Sequence, residues 1–206
     1  MNLQVLNSRQ QRLLGTISGF SLRFYLAGGT AAALQIGHRR SLDFDLFSKQ
    51  EIDPDLLMNS LARQKVRVDD VLARSADEFT LVVDSVKLSF IFYPYPIRHD
   101  LWLDNIITMP DLLSIAAMKA YALGRRARWK DYVDLFMIFQ NYYSLSMVTA
   151  MARKVFQGAF NERLFREQLC YFDDVDFTEE IDFMLDRPPD NHAIMSFLIQ
   201  VATGRE

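Results

Sequence analysis

The spacing of apolar residues changes about half-way along this chain, and the change separates two kinds of structure. From Ser8 to Ile17 the apolar positions Leu13, Leu14 and Ile17 recur at helical spacing, which predicts an opening helix packed on the strand that follows. Phe24-Tyr25-Leu26-Ala27 is a short apolar run and reads as a strand; after the Gly28-Gly29 turn, Thr30 to Ile36 reads as a helix. A second strand carries Asp43-Phe44-Asp45-Leu46. Its period of two sets Asp43 and Asp45 side by side on one face and sends Leu42, Phe44 and Leu46 into the core. Asp53-Pro54 supplies an N-cap and a proline at the first helical position, starting a helix to about Gln64. Lys65 to Ala73, Phe79 to Val83 and Val86 to Tyr93 read as strands, the last two joined by a tight turn at Asp84-Ser85. Pro94 and Pro96 end that run, since proline has no donor for a ladder, and Asn105-Ile106-Ile107 predicts a short edge strand.

Beyond this point the period becomes helical. Pro110-Asp111 opens a helix to about Leu123, and from Trp129 the pattern is helical nearly to the end, with breaks near Ser144, Gly158 to Asn161, Asp173 to Thr178 and Arg187 to Asn191. The prediction is an α+β fold with its border near Pro110: a mixed-sheet core with flanking helices over residues 1–109, and a helical part over residues 110–206. The segment after Gln140 is amphipathic and rich in aromatics, which suits packing or a partner interface.

Composition narrows the function classes. Of 206 residues, 50% are apolar and 24% charged, which describes a globular chain rather than a disordered one. With Lys+Arg 23 against Asp+Glu 26 the formal net charge is -3, so the protein is no polycation and any nucleic-acid contact is local. Cys170 stands alone, which excludes an intramolecular disulfide, builds no zinc site and fits a reducing compartment; it reads as a small core hydrophobe. The first twenty residues lack the basic start and apolar core of a signal peptide, and no window approaches eighteen uninterrupted apolar residues. The expectation is a cytoplasmic protein without a membrane span.

The chemistry concentrates between Tyr25 and Phe47, YLAGGTAAALQIGHRRSLDFDLF. Two neighbouring carboxylates repel each other in a low-dielectric setting, and a pair so placed suits a cation or a shared proton. Mg²⁺ fits best, because it binds through one or two carboxylates and completes its shell with water and substrate phosphates. Glycines at the head of a helix let a phosphate approach the backbone amides, where the helix dipole favours an anion, and Thr30 adds a hydroxyl. Thirteen residues separate Gly29 from Asp43. Strand, Gly-Gly, helix, then Asp-Phe-Asp-Leu on a second strand is the layout of a metal-dependent nucleotide-transfer site.

This stretch resembles motif I of the AbiEii/AbiGii toxin family, the nucleotidyltransferase-like halves of bacterial abortive-infection toxin–antitoxin systems. A second block, IAAMKAYALGRRARWKDYVDL over Ile115 to Leu135, resembles that family's later motifs, and Val86-Lys87-Leu88-Ser89-Phe90 stands where the family has a strand of hydrophobic, Lys, hydrophobic, acid, hydrophobic. The resemblance covers roughly Phe24 to Gln140. It implies a nucleotidyltransferase-like core and a C-terminal helical bundle that completes the active site. It implies transfer of a nucleoside monophosphate from a nucleoside triphosphate to a hydroxyl of RNA, tRNA or a protein, with a nearby-encoded antitoxin as partner. By the same resemblance Asp43 and Asp45 hold Mg²⁺, Lys119 and Asp131 join them as catalytic residues, and Asp134 is the weaker candidate. Gly28, Gly29, Thr30, Arg39, Ser41 and Arg126 are the expected nucleotide-binding residues. Ser41 belongs to motif I, so its hydroxyl contacts phosphate or is a site where modification silences the enzyme. One departure stands out: Ser89 occupies the place where many nucleotidyltransferases carry a third carboxylate.

Other residues carry two readings each. Arg125, Arg126, Arg128 and Lys130 are four cations within six residues, either a solvated loop or a surface for nucleotide or RNA phosphates. Trp129 among them either packs or stacks on a base. His38, next to Arg39 and Arg40, is a further phosphate candidate; His99 and His192 read as surface or core. Three functions remain in play: the transferase, a nucleotide-binding module of the same fold that has lost turnover, and a small-molecule transferase of the antibiotic-modifying type.

Overall fold

The computed structural model describes residues 1–204. The chain divides into two compact units, Met1–Asp111 and the remainder from Leu112.

In the first unit, helix α1 (Ser8–Ser18) starts at a reciprocal capping box, in which Asn7 accepts from the Gln10 amide and the Gln10 side chain accepts from the Asn7 amide. Strand β1 (Tyr25–Ala27) runs directly into helix α2 (Gly28–Ile36). The helix takes in both glycines, so Gly28-Gly29 forms its first turn rather than a turn before it. Strand β2 (Asp43–Ser48) follows, then helix α3 (Pro54–Arg63), with Asp53 as N-cap and proline at its start. Strands β3 (Asp70–Arg74), β4 (Glu78–Val83) and β5 (Val86–Phe92) complete a five-stranded sheet of order β1-β2-β5-β4-β3. All its pairings are antiparallel except β2 with β5.

Asp84 and Ser85 join β4 to β5 with φ of 50° and 60°, the positive pair that a two-residue hairpin turn requires. Strand β3 begins five residues later than its hydropathy suggests, because Lys65 turns the chain with φ 58°. It forms one edge of the sheet, leaves Val71 and Leu72 exposed, and is bulged between Val71 and Ala73. The short strand expected at Asn105 to Ile107 is instead a hairpin of β6 (Leu101–Leu103) and β7 (Ile107–Met109), with Asp104 and Asn105 as its positive-φ turn.

One face of the sheet is apolar across its centre: Phe44, Leu46, Phe79, Leu81, Leu88 and Phe90 are fully buried. Phe20 and Phe24 meet Phe90 edge-on at centroid distances of 4.9 and 5.1 Å. Leu42, expected in this core, is 64% exposed because β2 begins only at Asp43. The other face carries the polar row that includes Asp43 and Asp45, while α2 packs against β1 and β2.

The second unit is helical: α4 (Leu112–Leu123), α5 (Trp129–Asn141), α6 (Leu145–Phe156), α7 (Glu162–Gln168) and α8 (Asn191–Thr203). Helix α4 is apolar nearly all round and correspondingly buried, packing on α5, α6 and α7, while α8 covers α5. Ser144, Asn161 and Asp190 cap α6, α7 and α8 through their side chains. Residues 169–190, expected to be helical between breaks, contain no helix. Their acids and the Pro188-Pro189 pair oppose one, and the segment is tied down by backbone bonds from Asp176 N to Ala127 O and from Trp129 N to Asp176 O, 2.8 and 3.0 Å. Cys170, expected in the core, is exposed just past α7. Among the described residues no helix is long and apolar enough to cross a membrane.

Candidate active site

Two glycines determine how closely charged groups approach the head of α2. Gly28 has φ 69°, and a Cβ there would stand 2.5 Å from Asp45 Oδ2. At Gly29 a Cβ would lie 2.6 Å from Arg39 Nη2. Removing both side chains therefore brings one carboxylate and one guanidinium against the same helical turn. The N-cap of α2 is Ala27, which offers no side-chain acceptor to the first amides.

The loop between α2 and β2 is tied to the helix from within. Thr30 is 1% exposed; its hydroxyl shares a 2.7 Å hydrogen bond with Ser41 Oγ and also donates to the Asp43 carbonyl. Both hydroxyls are thus used to set where β2 begins. Arg39 is buried and donates from Nη1 to the Arg40 carbonyl at 3.0 Å. His38, in the same loop, is fully buried.

From that start, β2 alternates as its sequence demands: Phe44, Leu46 and Ser48 are buried, and Asp43 and Asp45 are partly open. In the parallel register Asp43 pairs with Lys87 and Asp45 with Ser89. Lys87 Nζ lies 2.9 Å from Asp43 Oδ2, with the two side chains 33% and 25% exposed. Sequence reasoning passed over Lys87 as a site residue, although its place two before Ser89 puts it on the same row once the strands are paired. The row continues on β4 with Thr80, opposite Ser89, whose hydroxyl donates to Glu78 at 2.6 Å. The position beside Asp45 on the neighbouring strand is therefore serine, and the next acid along that row belongs to β4.

The helical unit holds a second group. Lys119, on α4, lies 2.7 Å from Asp131 Oδ1 and 2.6 Å from Asp134 Oδ2, and all three side chains are at most 5% exposed. Spacing of three on α5 turns both carboxylates toward one ammonium. Burial opposes the charge on Asp131, but Lys119 and then Arg126 outweigh it and hold that carboxyl below its ordinary range. Arg126 is half exposed and sits 3.6 Å from Asp131 Oδ2. Asp134, the weaker candidate by sequence, is as closely engaged as Asp131.

The neighbouring basic run is largely committed inside the chain. Arg125 lies 3.6 Å from the Tyr121 ring centroid and donates to that residue's carbonyl, and Lys130 meets Glu179 at 2.5 Å. Trp129 is 4% exposed, packed with Tyr132, Phe172 and Phe177. Its surroundings are those of a packing residue. His99 stacks on Tyr25, and His192 is exposed on α8. Among the described residues no three His, Cys, Asp or Glu side chains converge on a point suited to a metal.

A family model described as the nucleotidyl transferase AbiEii toxin of a type IV toxin–antitoxin system matches residues 12–197. The chain belongs to the AbiEii nucleotidyltransferase toxin family. An uncharacterised protein of Aquifex aeolicus (strain VF5) is 33% identical over 156 residues, 73% of this chain and 74% of that one. Among solved structures, a putative nucleotidyltransferase of H. pylori aligns with TM-score 0.59 at 15% identity, over 96% of this chain and 95% of its own. MenT4, a nucleotidyltransferase toxin of Mycobacterium tuberculosis H37Rv, aligns with TM-score 0.62 at 16% identity, over 96% of this chain and 82% of its own. At those identities the likeness is one of fold, and the fold is the α+β nucleotidyltransferase fold. Family and fold together make this AbiEii protein a nucleotidyltransferase.

Proposed function

We propose that this AbiEii protein moves a nucleoside monophosphate from a nucleoside triphosphate onto a hydroxyl acceptor and releases pyrophosphate. The observation that carries the reading is the placement of Asp43 and Asp45 on one face of β2, with Asp45 pressed against Gly28 at the uncapped head of α2. Carboxylates for a cation and amides for an anion then lie next to each other, as a metal-bound triphosphate needs.

A divalent ion fits this donor set. Two carboxylates without a third protein ligand suit Mg²⁺, which keeps waters and substrate phosphates in its shell, and do not suit a closed zinc site. Lys87, 2.9 Å from Asp43 Oδ2, compensates that carboxylate here, and its ammonium would have to give way or share Asp43 when the cation binds. Bound there, Mg²⁺ would neutralise phosphate charge and lower the pKa of an acceptor hydroxyl. Gly28 and Gly29 seat phosphate oxygens on backbone amides, and Arg39, beside Gly29, adds positive charge. Thr30 and Ser41 keep the loop in place beneath them. Lys119 and Asp131, clasped with Asp134, are retained as residues on which transfer depends, Lys119 through the order it imposes on α4 and α5.

By family, the setting is a toxin–antitoxin pair, with RNA such as tRNA, or a protein, as acceptor and an antitoxin as partner. The test incubates the protein with each α-³²P-labelled nucleoside triphosphate, Mg²⁺ and total bacterial RNA, beside the Asp43→Ala/Asp45→Ala variant. Label in RNA or protein is expected with wild type alone and is expected to vanish with EDTA. Absence of label with every donor, in folded protein, overturns the reaction. Ser89 opposite Asp45 favours a second reading, a binding module without turnover; calorimetric binding of Mg²⁺ and triphosphate without transfer is its signature.

A further inference from the structure

A cavity of about 190 Å³ lies at the end of β2 remote from the carboxylate pair, between the α1–β1 loop, the residues after β2 and the approach to β6. Ser48 is three residues from Asp45, roughly 10 Å along the strand at about 3.4 Å per residue. Arg23, Tyr25, Ser48, Lys49, Gln50 and His99 are among the residues lining it.

Its polar lining carries two cations, Arg23 and Lys49, beside groups that both donate and accept, Ser48, Gln50 and His99. Tyr25 is 2% exposed, held between His99 at a centroid distance of 4.3 Å and Phe47 at 5.9 Å, and its hydroxyl has no hydrogen-bond partner. Arg23 Nε is likewise shut off from solvent and unpaired. Ser48 Oγ accepts from the Gln50 amide at 3.1 Å and keeps its own proton to donate. Lys49 stands near enough to His99 for its charge to weigh against protonation of that ring, which burial already disfavours. His99 Nδ1 is engaged with Thr108 Oγ1 at 2.9 Å. Among the described residues no Asp or Glu lines the cavity. Asp100, the acid adjoining His99, is taken by Arg98 through two N–H groups, at 2.8 and 2.6 Å.

Two cationic side chains and several neutral donors, with no carboxylate facing them, are the complement of an oxyanion. The volume falls below the range of about 300–1,000 Å³ usual for drug-sized ligands, so it suits an inorganic ion or the head of a small phosphomonoester and not a whole triphosphate. We propose that this cavity is an oxyanion site for a phosphoryl group, separate from the Asp43–Asp45 site, with Arg23 and Lys49 as its cationic donors. It stands whether or not the chain transfers nucleotides.

The test is calorimetric titration of the full chain, in phosphate-free buffer without divalent metal, with inorganic phosphate and separately with ribose 5-phosphate. Saturable binding is expected in wild type, within twofold in Asp43→Asn/Asp45→Asn, and at least tenfold weaker in Arg23→Gln/Lys49→Gln. Lys49→Gln alone, a change at an exposed position, is expected to weaken it measurably in protein that unfolds like wild type. Tighter binding of inorganic phosphate assigns the site to the free ion, and tighter binding of ribose 5-phosphate to a phosphomonoester. The proposal is overturned if no saturable heat appears, if binding is unchanged in both lysine variants, or if it disappears with the two aspartates.

Discussion

Gly28 carries two constraints at once, a positive φ and the approach of Asp45. Gly28→Ala is expected to destabilise the protein by about 1–2 kcal/mol, the penalty of a left-handed conformation for a residue with Cβ. Transfer is expected to fall further than stability, because the added carbon displaces the Asp45 carboxylate; urea unfolding and label incorporation measured on the same protein separate the two effects. At Lys119 the argument is electrostatic. Lys119→Met removes the ammonium that two buried carboxylates share and leaves Asp131 only the half-exposed Arg126 at 3.6 Å, a loss of about 3–5 kcal/mol, which the urea midpoint reports. Asp131 gives the pH dependence. Its carboxyl titrates lower in the folded chain than in the unfolded one, where it is near ~3.9, so the folded state is favoured above that value and loses the contribution as pH falls through the depressed folded value. Unfolding followed from pH 6 to pH 3 is expected to show a steeper acid-side loss in wild type than in Asp131→Asn.

At the scale of elements, the pairing of β2 with β5 decides which residues meet. Ser89→Asp would set a third carboxylate beside Asp45, at a position 4% exposed. Without divalent metal this variant is expected to unfold at lower temperature than wild type, because a like charge is buried next to Asp45; added Mg²⁺ is expected to raise its midpoint more than that of wild type. Part of this geometry was legible beforehand: the alternation of β2 follows from a period of two, and the family resemblance set Ser89 on the strand beside the Asp43–Asp45 strand, whereas the parallel register that places it opposite Asp45 is seen only in the fold. The partnership of Lys87 with Asp43 was not, because a lysine on a strand reads as a solvated residue until its cross-strand neighbour is known. Likewise Asp134 reads as a second-rank acid until α4 places Lys119 between it and Asp131. The extent of β3 and the β6–β7 hairpin were misread for one reason: non-glycine residues, Lys65, Asp104 and Asn105, adopt positive φ there, and sequence marks such turns weakly without glycine.

Across the whole molecule, two compact units divide the chemistry, with the carboxylate pair in one and the lysine clasp in the other. The change of hydrophobic period showed that strands give way to helices; it did not show that residues 169–190 would be held by backbone bonds and Phe172 and Phe177 against Trp129. Ligand linkage is the global readout of the proposed site. Mg²⁺ with triphosphate at about a hundredfold above Kd is expected to stabilise wild type by about 2.7 kcal/mol, roughly 5–10 °C for a chain of this size, and Asp43→Asn/Asp45→Asn not at all; differential scanning fluorimetry makes the comparison.

The bulge in β3 has a bearing on how this chain behaves at high concentration. An edge strand that leaves Val71 and Leu72 exposed is a template on which a second copy can extend the sheet, and the register break between Val71 and Ala73 bends that template out of line. Asp69, Asp70 and Arg74 add charge along the same edge. A single irregular residue pair thus acts as a guard against strand-to-strand aggregation, placed on the edge of the sheet farthest from β1, with two strands between it and the β2 carboxylates.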